Sequence, residues 1–298
     1  MSNNQNENLN LAIKYMLFAS LSFAITGSFA KILSDSMSSV EVVFFRNIVG
    51  LIIISYAIYK SPLEQIGGRP LLLFWRGFIG FVALLMYFYN IAHIPLAEAQ
   101  TFAKTSPIFT ALFSYLILKE KLSPLAILGI LVGFIGITFI TGFDITHLDK
   151  TDWLGILSGI GAGLAYTSIR ELKNYYDTRA IVFSFMFIGT LGPVIIMFLG
   201  QFYSSETFDF ILAPFVMPTL NDLIFIIGLG LFATISQLYM TKAYSLAKGG
   251  IVGTIGYTNI IFSIFLGMML GDSFPTFMIL SGIGLIIISG FLVTYKSK

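Results

Sequence analysis

The sequence contains no cysteine and little charge. Its 298 residues include 17 Lys and Arg and 15 Asp and Glu, so that 11% are charged, against roughly 25% in soluble domains. The absence of cysteine excludes disulfides, thiolate metal sites and a cysteine nucleophile. The two histidines, His93 and His147, are too far apart in the sequence to predict a metal site. The net charge of +2 indicates no polyanionic partner, so we expect no nucleic-acid ligand, no metal and no other cofactor.

Apolar residues are abundant instead. They make up 56% of the sequence, which includes 30 Phe and 28 Gly. Ten apolar stretches reach about 20 residues, the length that a helix needs to cross a hydrocarbon layer of about 30 Å. They are too continuous for the alternating pattern of a membrane barrel. We therefore predict an all-α membrane protein with ten transmembrane helices, near residues 11–33, 40–59, 71–92, 95–118, 124–141, 153–169, 180–199, 222–243, 249–270 and 274–293.

The basic residues are unevenly distributed between the predicted loops. With the N-terminus in the cytoplasm, Lys31 and Lys150 fall at the outer face, and Arg46 and Lys104 fall within spans. The other 13 of the 17 fall at the inner face: Lys14, Lys60, Arg69, Arg76, Lys119, Lys121, Arg170, Lys173, Arg179, Lys242, Lys248, Lys296 and Lys298. Because cytoplasmic loops retain positive charge, we expect both termini in the cytoplasm. The short loops, the polar N-terminal tail and the absence of sorting signals indicate the inner membrane of a bacterium.

The chain contains an internal repeat with a period of about 150 residues. Residues 91–140 contain a polar patch within a span, a tight connection with Glu120 and a helix with spaced glycines, and residues 242–293 repeat that order with Asp272 in the connection. Each half holds five helices, and since five is odd, the second half enters the membrane from the opposite side. We predict two inverted five-helix repeats, an architecture typical of secondary transporters. The predicted boundaries are a polar cytoplasmic tail at 1–10, a first repeat at 11–142, an external linker at 143–152 and a second repeat at 153–298.

The first half contains four short motifs: Phe45-Arg46 in the second span, Ile-Pro-Leu-Ala-Glu-Ala-Gln at 94–100, Thr-Ser-Pro at 105–107 and Lys-Glu-Lys-Leu-Ser at 119–123. With these motifs the chain resembles the EamA domain of the drug/metabolite transporter superfamily. The second half is similar, with Thr258-Asn259 in place of the Ser-Pro step. The resemblance implies a ten-helix carrier with a central cavity. Members of this family move amino acids, nucleobases or nucleosides, S-adenosylmethionine, riboflavin and organic acids, so the resemblance does not identify the cargo.

Three ionisable residues lie well inside the predicted spans: Arg46, Glu98 and Lys104. Each costs at least about 2.5 kcal/mol inside a bilayer, so each is a functional candidate. At 1.5 Å per residue, Arg46 lies roughly 9 Å and Glu98 roughly 5 Å below the outer face. Two interpretations remain open. Either Arg46 is structural, paired with Glu98 or extended towards the outer face, or Arg46 binds an anionic group of the substrate while Glu98 pairs with it in the empty state or takes a coupling proton.

Lys104 lies about 14 Å below the outer face, close to the midplane of a core about 30 Å thick. Gln100 is one turn away on the same face, and Pro107 leaves the carbonyl of Ala103 without its usual partner one turn later. Irregular backbone at this depth survives only where it lines a cavity or packs in protein. We predict that Lys104 and Gln100 bind substrate. The alternatives are an ion pair with an unidentified carboxylate and an unprotonated lysine amine.

Uncharged polar residues complete the predicted substrate-binding set. An amide is costly against lipid and must face protein or cavity, whereas tyrosine also packs in cores and at membrane interfaces. The set comprises the amides Asn90, Gln237 and Asn259 and the tyrosines Tyr87, Tyr166, Tyr239 and Tyr257. In the sixth span, Gly155, Gly159 and Gly163 predict close helix packing.

These features together predict a secondary carrier that works by alternating access. The cations favour an amino acid or another carboxylate-bearing cargo. A nucleoside-type or flavin-type cargo such as S-adenosylmethionine, stacked on aromatic side chains, is the alternative. A membrane-embedded enzyme is disfavoured because the largest outer loop, 201–221, contains Glu206 and Asp209 but no histidine. We expect a monomer or homodimer in the lipid bilayer with a small-molecule substrate and no enzymatic activity.

Overall fold

The computed structural model describes residues 2–64, 66–117, 119, 121–142, 148–203, 205, 207–246 and 255–294, apart from the side chains of residues 2–8, 170, 241, 244–246 and 294. Part of the predicted external linker and the start of the ninth predicted span lie outside the described residues. The same is true of Glu120, His147, Glu206, Lys248, Lys296 and Lys298.

Within these residues the chain forms eleven helices and no strand. In chain order they are α1 (Ser2–Leu33), α2 (Ser39–Lys60), α3 (Pro70–His93), α4 (Leu96–Ala103), α5 (Ser106–Leu116), α6 (Pro124–Ile140), α7 (Lys150–Leu172), α8 (Thr178–Gly200), α9 (Leu220–Leu246), α10 (Thr258–Met269) and α11 (Phe277–Thr294). Five segments are long and apolar enough to cross a membrane, namely Leu9–Leu33, Ser39–Lys60, Pro70–His93, Thr178–Gly200 and Leu220–Met240, and Pro124–Ile140, Thr258–Met269 and Phe277–Val293 are shorter apolar helices.

The first helix is longer than the sequence predicts. α1 begins at Ser2, so the tail assigned to residues 1–10 is helical from its second residue, although the apolar segment that fits a membrane begins at Leu9. No glycine or proline interrupts residues 2–10, so nothing in the chain ends the helix at the polar boundary.

The start of α2 is fixed by a capping box. The Ser38 hydroxyl accepts a hydrogen bond from the Glu41 amide, and the Glu41 carboxylate accepts one from the Ser38 amide at 2.9 Å. Such reciprocal bonds satisfy backbone donors that the helix itself leaves unpaired. Glu41 is fully buried, and its second oxygen accepts a hydrogen bond from the Val216 amide at 2.8 Å. One side chain therefore caps the helix and holds the long loop before α9.

Large apolar side chains cover much of the outer surface. Leu131 on α6 is 57% exposed, Phe198 on α8 is 65% exposed and Ile224 on α9 is 70% exposed. A soluble protein rarely exposes so much continuous apolar surface, whereas lipid is a matched solvent for it. The exposed apolar faces and the five long apolar segments indicate a multi-pass membrane protein.

The ends of the helices lie in two groups, one at each end of the bundle. In the first group, which we call the first end, Lys31 of α1 forms an ion pair with Asp272, which follows α10, and donates a hydrogen bond to the Ile94 carbonyl at 3.1 Å. Lys150, at the start of α7, forms an ion pair with Asp209. Both lysines that the sequence assigns to the outer face therefore lie at the first end, each paired with an aspartate.

The second end contains the opposite ends of these helices. Arg179, at the start of α8, donates a hydrogen bond to the Ser61 carbonyl after α2 at 2.6 Å. Hydrogen bonds from Arg179 also lower the pKa of Asp177 below its ordinary value. Arg69, just before α3, lies 3.8 Å from Glu171 of α7. The second end therefore joins the loop after α2 to the connection between α7 and α8.

Glycines bring several helices into direct contact. Gly50 of α2 faces Met186 of α8, and Gly189 of α8 faces Asn47 of α2, so the two contacts are reciprocal. On α7, a side-chain carbon at Gly159 would overlap Thr105. The close packing that the glycines of the sixth span predict is therefore confirmed.

The helix pairs follow a regular scheme. α1 packs on α9 and α10, and α7 packs on α3, α4 and α5. α2 packs on α8, and α6 packs on α11, where Gly136 and Gly282 meet. Additional contacts join α3 to α8 and α2 to α9. This arrangement places α4, which contacts α1, α3, α7 and α10, inside the bundle.

Candidate functional site

The fourth predicted span is broken in the middle. α4 ends at Ala103 and α5 begins at Ser106, with Lys104 and Thr105 between them. Pro107 lies in the first turn of α5, where its missing N–H is tolerated, and it leaves the carbonyl of Ala103 without a partner one turn later. The interruption that Pro107 predicts is confirmed.

A similar interruption precedes α10. Tyr257 (φ −70°, ψ −15°) stands just before α10, and Thr105 has nearly the same backbone angles (φ −75°, ψ −14°) just before α5. The two interruptions touch, because the Tyr257 hydroxyl donates a hydrogen bond to the carbonyl of Lys104 at 3.4 Å. A side chain from the start of α10 therefore reaches the backbone break between α4 and α5, and broken helices that meet in this way are typical of solute sites.

The Lys104 side chain lies between this interruption and α1. Its Nζ is 5.8 Å from the centroid of the Phe23 ring, within the range of a cation–π contact. The side chain is partly exposed, and no carboxylate among the described residues lies within ion-pair distance of it. Of the alternatives that the sequence leaves open, the ion pair is therefore not formed in the described part of the chain.

Gln100 and Tyr87 connect Lys104 to a second cation. Gln100 is buried, and its Nε2 has no hydrogen-bond partner among the described residues. Tyr87 of α3 lies next to Gln100 and within electrostatic range of Arg46 and Tyr166. The structure thus brings together five residues of the predicted set, on α2, α3, α4 and α7.

Arg46 is buried on α2 with 5% of its surface exposed. Its Nη1 donates a hydrogen bond to Asn47 Oδ1 at 2.8 Å, and its Cζ is 5.9 Å from the centroid of the Phe185 ring on α8. Arg46 forms no ion pair with Glu98 in the described structure. The predicted structural pair therefore gains no support, and the Arg46 charge has no acidic partner among the described side chains.

A second buried arginine, Arg76, escaped the sequence analysis. The sequence counted Arg76 only among the cations of the inner face, but its side chain is buried, with 8% exposed. Its Cζ lies 4.8 Å from the same Phe185 ring, and Nε and Nη1 lack hydrogen-bond partners among the described residues. The depth of Arg76 within its span could have marked it as a candidate. It lies six residues past Pro70, just as Arg46 lies six residues past Val40.

Two predicted residues lie at the first end instead. Asn90 is buried and donates a hydrogen bond through Nδ2 to the Thr151 carbonyl at 2.9 Å, which joins α3 to α7. Glu98, in the first turn of α4, has other charged neighbours than Arg46, namely Lys31, Asp152 and Asp272. No three described His, Asp or Glu side chains come close enough to hold a metal ion.

Two predicted residues lie on α9. The Tyr239 ring packs edge-on against Tyr15 and Phe18 of α1, with ring centroids 5.4 and 4.8 Å apart. Gln237 is partly buried two residues earlier. Tyr239 therefore serves the contact between α1 and α9.

Tyr257 and Asn259 are also tied to helix contacts. Asn259 is fully buried, and its Nδ2 donates a hydrogen bond to the Ser20 carbonyl of α1 at 3.0 Å. The Tyr257 ring is buried against α11, where any side chain at Gly290 would overlap it. Only the Tyr257 hydroxyl reaches the interruption beside Lys104.

Two clefts elsewhere on the surface do not contain these cations. A cleft of about 230 Å³ between α3 and α8, near Phe81 and Ile196, is lined by apolar side chains alone. Another of about 390 Å³ lies at the second end, between the loops around Glu64 and Asn174. The chemically distinctive place in the bundle is therefore the interruption at Lys104 with its neighbouring polar side chains.

The chain is similar to known transporters over most of its length. Residues 10–142 and again residues 149–295 match the family described as the EamA-like transporter family. An uncharacterized transporter of Helicobacter pylori (strain ATCC 700392 / 26695) is 34% identical, over 94% of this chain and 93% of that protein. The pseudopaline exporter CntI of Pseudomonas aeruginosa (strain UCBPP-PA14) is 29% identical, over 97% and 98%. An S-adenosylmethionine uptake transporter of Rickettsia bellii (strain RML369-C) is 18% identical, over 97% and 95%.

Proposed function

Since the chain belongs to the EamA-like transporter family, we propose that it is a secondary carrier that moves a small carboxylate-bearing solute by alternating access. The cargo we favour is an amino acid or another organic acid. The observation that carries this proposal is Lys104, a partly exposed cation at a broken helix with no carboxylate within ion-pair distance among the described residues. A cation held this way is suited to an anionic group that comes and goes.

Alternating access requires two halves that move against each other, and the helix packing supports such halves. In the proposed repeats, α1, α2 and α3 of the first half correspond to α7, α8 and α9 of the second. Equivalent helices make equivalent contacts, because α1 packs on α9 as α7 packs on α3, and α3 packs on α8 as α9 packs on α2. The family matches the chain twice, over two segments of similar length. Both observations support ten membrane helices in two inverted repeats, with α4 and α5 together as one span and the solute site between the halves.

The orientation that we propose places the second end in the cytoplasm of a bacterial cell and the first end outside, with both termini inside. Arg69, Lys173 and Arg179 lie at the second end and Lys31 and Lys150 at the first, and cytoplasmic loops are the richer in Lys and Arg. A fluorescent reporter fused after Lys298 should therefore be active, because such reporters fold in the cytoplasm, and alkaline phosphatase fused there should be inactive. As a control, phosphatase inserted near Gln201 should be active. Phosphatase activity at Lys298 would contradict the ten-span topology.

The cargo class is tested by ligand-induced stabilisation of the purified protein. A ligand that binds only the folded state stabilises it by about 2.7 kcal/mol at 100 times its Kd. We expect an increase in melting temperature with amino acids or organic acids and none with cationic amines. Each carboxylate is compared with its uncharged amide, which has nearly the same size. Equal stabilisation by the amide would show that the carboxylate is not recognised.

A nucleoside-type cargo is the second candidate. One relative is named for S-adenosylmethionine uptake, and the aromatic side chains of Phe23 and Tyr87 lie near the interruption. The sulfonium cation of that compound is poorly matched to an unpaired Lys104. Stabilisation by S-adenosylmethionine and adenosine alone, in the same series, would favour this candidate over the carboxylate. The family and these relatives are named as transporters, which supports a carrier over an enzyme.

A further inference from the structure

Two buried arginines share one aromatic ring. Arg46 of α2 and Arg76 of α3 lie 5.9 and 4.8 Å from the centroid of Phe185 on α8, measured from Cζ. Only 5% and 8% of their surfaces are exposed. The three helices thus place two permanent positive charges around a single side chain, inside a bundle that lies in the membrane.

Among the described residues, no acidic side chain compensates these charges. In the described part of the chain neither arginine forms an ion pair, and Arg76 donates no hydrogen bond there, with Nε and Nη1 both shielded and unpartnered. Contact with a ring face attracts the cation but satisfies none of its N–H groups. A buried donor without a partner needs an explanation, and a buried charge without an acidic partner is costly, so packing alone does not account for the arrangement.

The fold leaves space for the Arg76 guanidinium. Gly80 stands one turn after Arg76 on α3, and a side-chain carbon there would approach Nη1 to 2.7 Å and the Phe185 ring to 3.1 Å. Glycine at this position leaves room for the guanidinium beside the ring. A larger residue would displace the guanidinium from the ring.

A half-exposed tyrosine lies near both arginines. Tyr166 of α7 lies within electrostatic range of both arginines and is itself 46% exposed. It follows Gly159 by seven residues, so it lies on the face of α7 that packs on α4 and α5. Tyr87 is near both Arg46 and Gln100 and links the arginines to the turn of α4 before Lys104.

We propose that Arg46 and Arg76 form a second anion-binding subsite, so that the carrier takes a solute with two or more carboxylate groups. Lys104 holds one carboxylate and the arginines hold another, each guanidinium offering two parallel N–H groups to the oxygens. Arg76 is in this view a specificity-determining residue. The proposal rests on the proposed function, since it assigns a second group to a carboxylate-bearing cargo.

The test compares dicarboxylates with monocarboxylates of equal chain length. Succinate, glutarate and adipate are titrated into the purified protein against butyrate, valerate and hexanoate, and Kd is measured by calorimetry. We expect the best dicarboxylate to bind at least tenfold more tightly than its monocarboxylate. Equal affinities in the wild-type protein would overturn the second subsite, and this comparison needs no variant.

Arg76→Gln then identifies the residue responsible. It should weaken dicarboxylate binding at least tenfold, to the level of the monocarboxylate, whose Kd is measured alongside. Arg69→Gln, which removes an exposed arginine just before the same helix, is the matched control and should change neither. Without ligand, Arg76→Gln should melt at or above the wild-type temperature, because it removes an uncompensated buried charge. Loss of folded Arg76→Gln protein would make the arginine structural and overturn the proposal.

Two further outcomes separate the possible errors. If no carboxylate binds and a nucleoside or a cation does, the proposed function fails together with the subsite. If monocarboxylates bind but Arg76→Gln leaves dicarboxylate affinity unchanged, only the subsite fails. An anionic lipid offers similar chemistry through its phosphate, so the titrations are repeated with phosphatidylglycerol added to the detergent. Competition between this lipid and succinate would assign the arginines to a lipid headgroup and overturn the proposal.

Discussion

Replacing Lys104 with alanine should abolish ligand-induced stabilisation and transport while the amount of folded protein stays close to that of the wild type. Removing the cationic partner of a bound carboxylate costs about 2–5 kcal/mol of binding free energy, an increase in Kd of roughly 30-fold or more. The folded state loses little, because no described carboxylate pairs with Lys104 and the interaction lost with Phe23 is a cation–π contact at 5.8 Å. Melting curves with and without ligand, and uptake into proteoliposomes, measure the two effects.

Two variants separate charge from packing. Lys104→Met keeps most of the side-chain length without the cation and should fail as completely as alanine. Lys60→Ala, at an exposed position at the end of α2, controls for the loss of a lysine and should bind and transport normally. Wild-type transport by the Lys104→Ala protein would remove this residue from the site.

Replacing Gly159 with alanine should destabilise the protein although alanine is the better helix former. The new methyl group would overlap the Thr105 hydroxyl and stand 3.1 Å from the Phe102 carbonyl oxygen. Overpacking of this kind costs about 1–3 kcal/mol, more than the gain of about 1 kcal/mol in helix propensity. We expect a lower melting temperature and a lower yield of folded protein, since α7 must move away from the interruption between α4 and α5.

Gly284→Ala on α11 is the matched control, because no atom lies within 4 Å of the added carbon. Its melting temperature should equal or exceed that of the wild type. Adding Thr105→Ala to Gly159→Ala removes the overlapping hydroxyl and should restore part of the stability. If the two single glycine variants melt at the same temperature, close packing at Gly159 does not stabilise the bundle.

The sequence predicted the helices well because hydrophobic length is a local property. Described helices occupy the apolar stretches, and the interruption at Lys104 followed from Pro107, whose ring and missing N–H act on the adjacent turn. The stripe of small residues around Gly159 was equally visible, because it requires only a spacing of four. Each of these features depends on residues within one or two helical turns.

The site was only partly predictable, because the neighbours that a side chain faces in the bundle are not set by the residues close to it in the sequence. Arg46 and Glu98 lie at comparable predicted depths, yet they face different neighbours. Asn90 required a polar partner and found it in a backbone carbonyl of α7, which no sequence spacing reveals. Arg76 was missed for another reason. A cation near the start of a span counts towards orientation, and its burial became visible only when α8 brought Phe185 beside it.

The contacts between α2 and α8 have a consequence for how such a chain diversifies. Because Gly50 faces Met186 and Gly189 faces Asn47, Arg46 and Phe185 stand at corresponding places in the two proposed repeats, and they touch each other. Two identical halves would set arginine against arginine at this point, where repulsion is strong because little water screens it. Divergence of one copy to an aromatic ring turns that repulsion into attraction. A protein built from two similar halves thus acquires an asymmetric binding site, in which only one half supplies the charge.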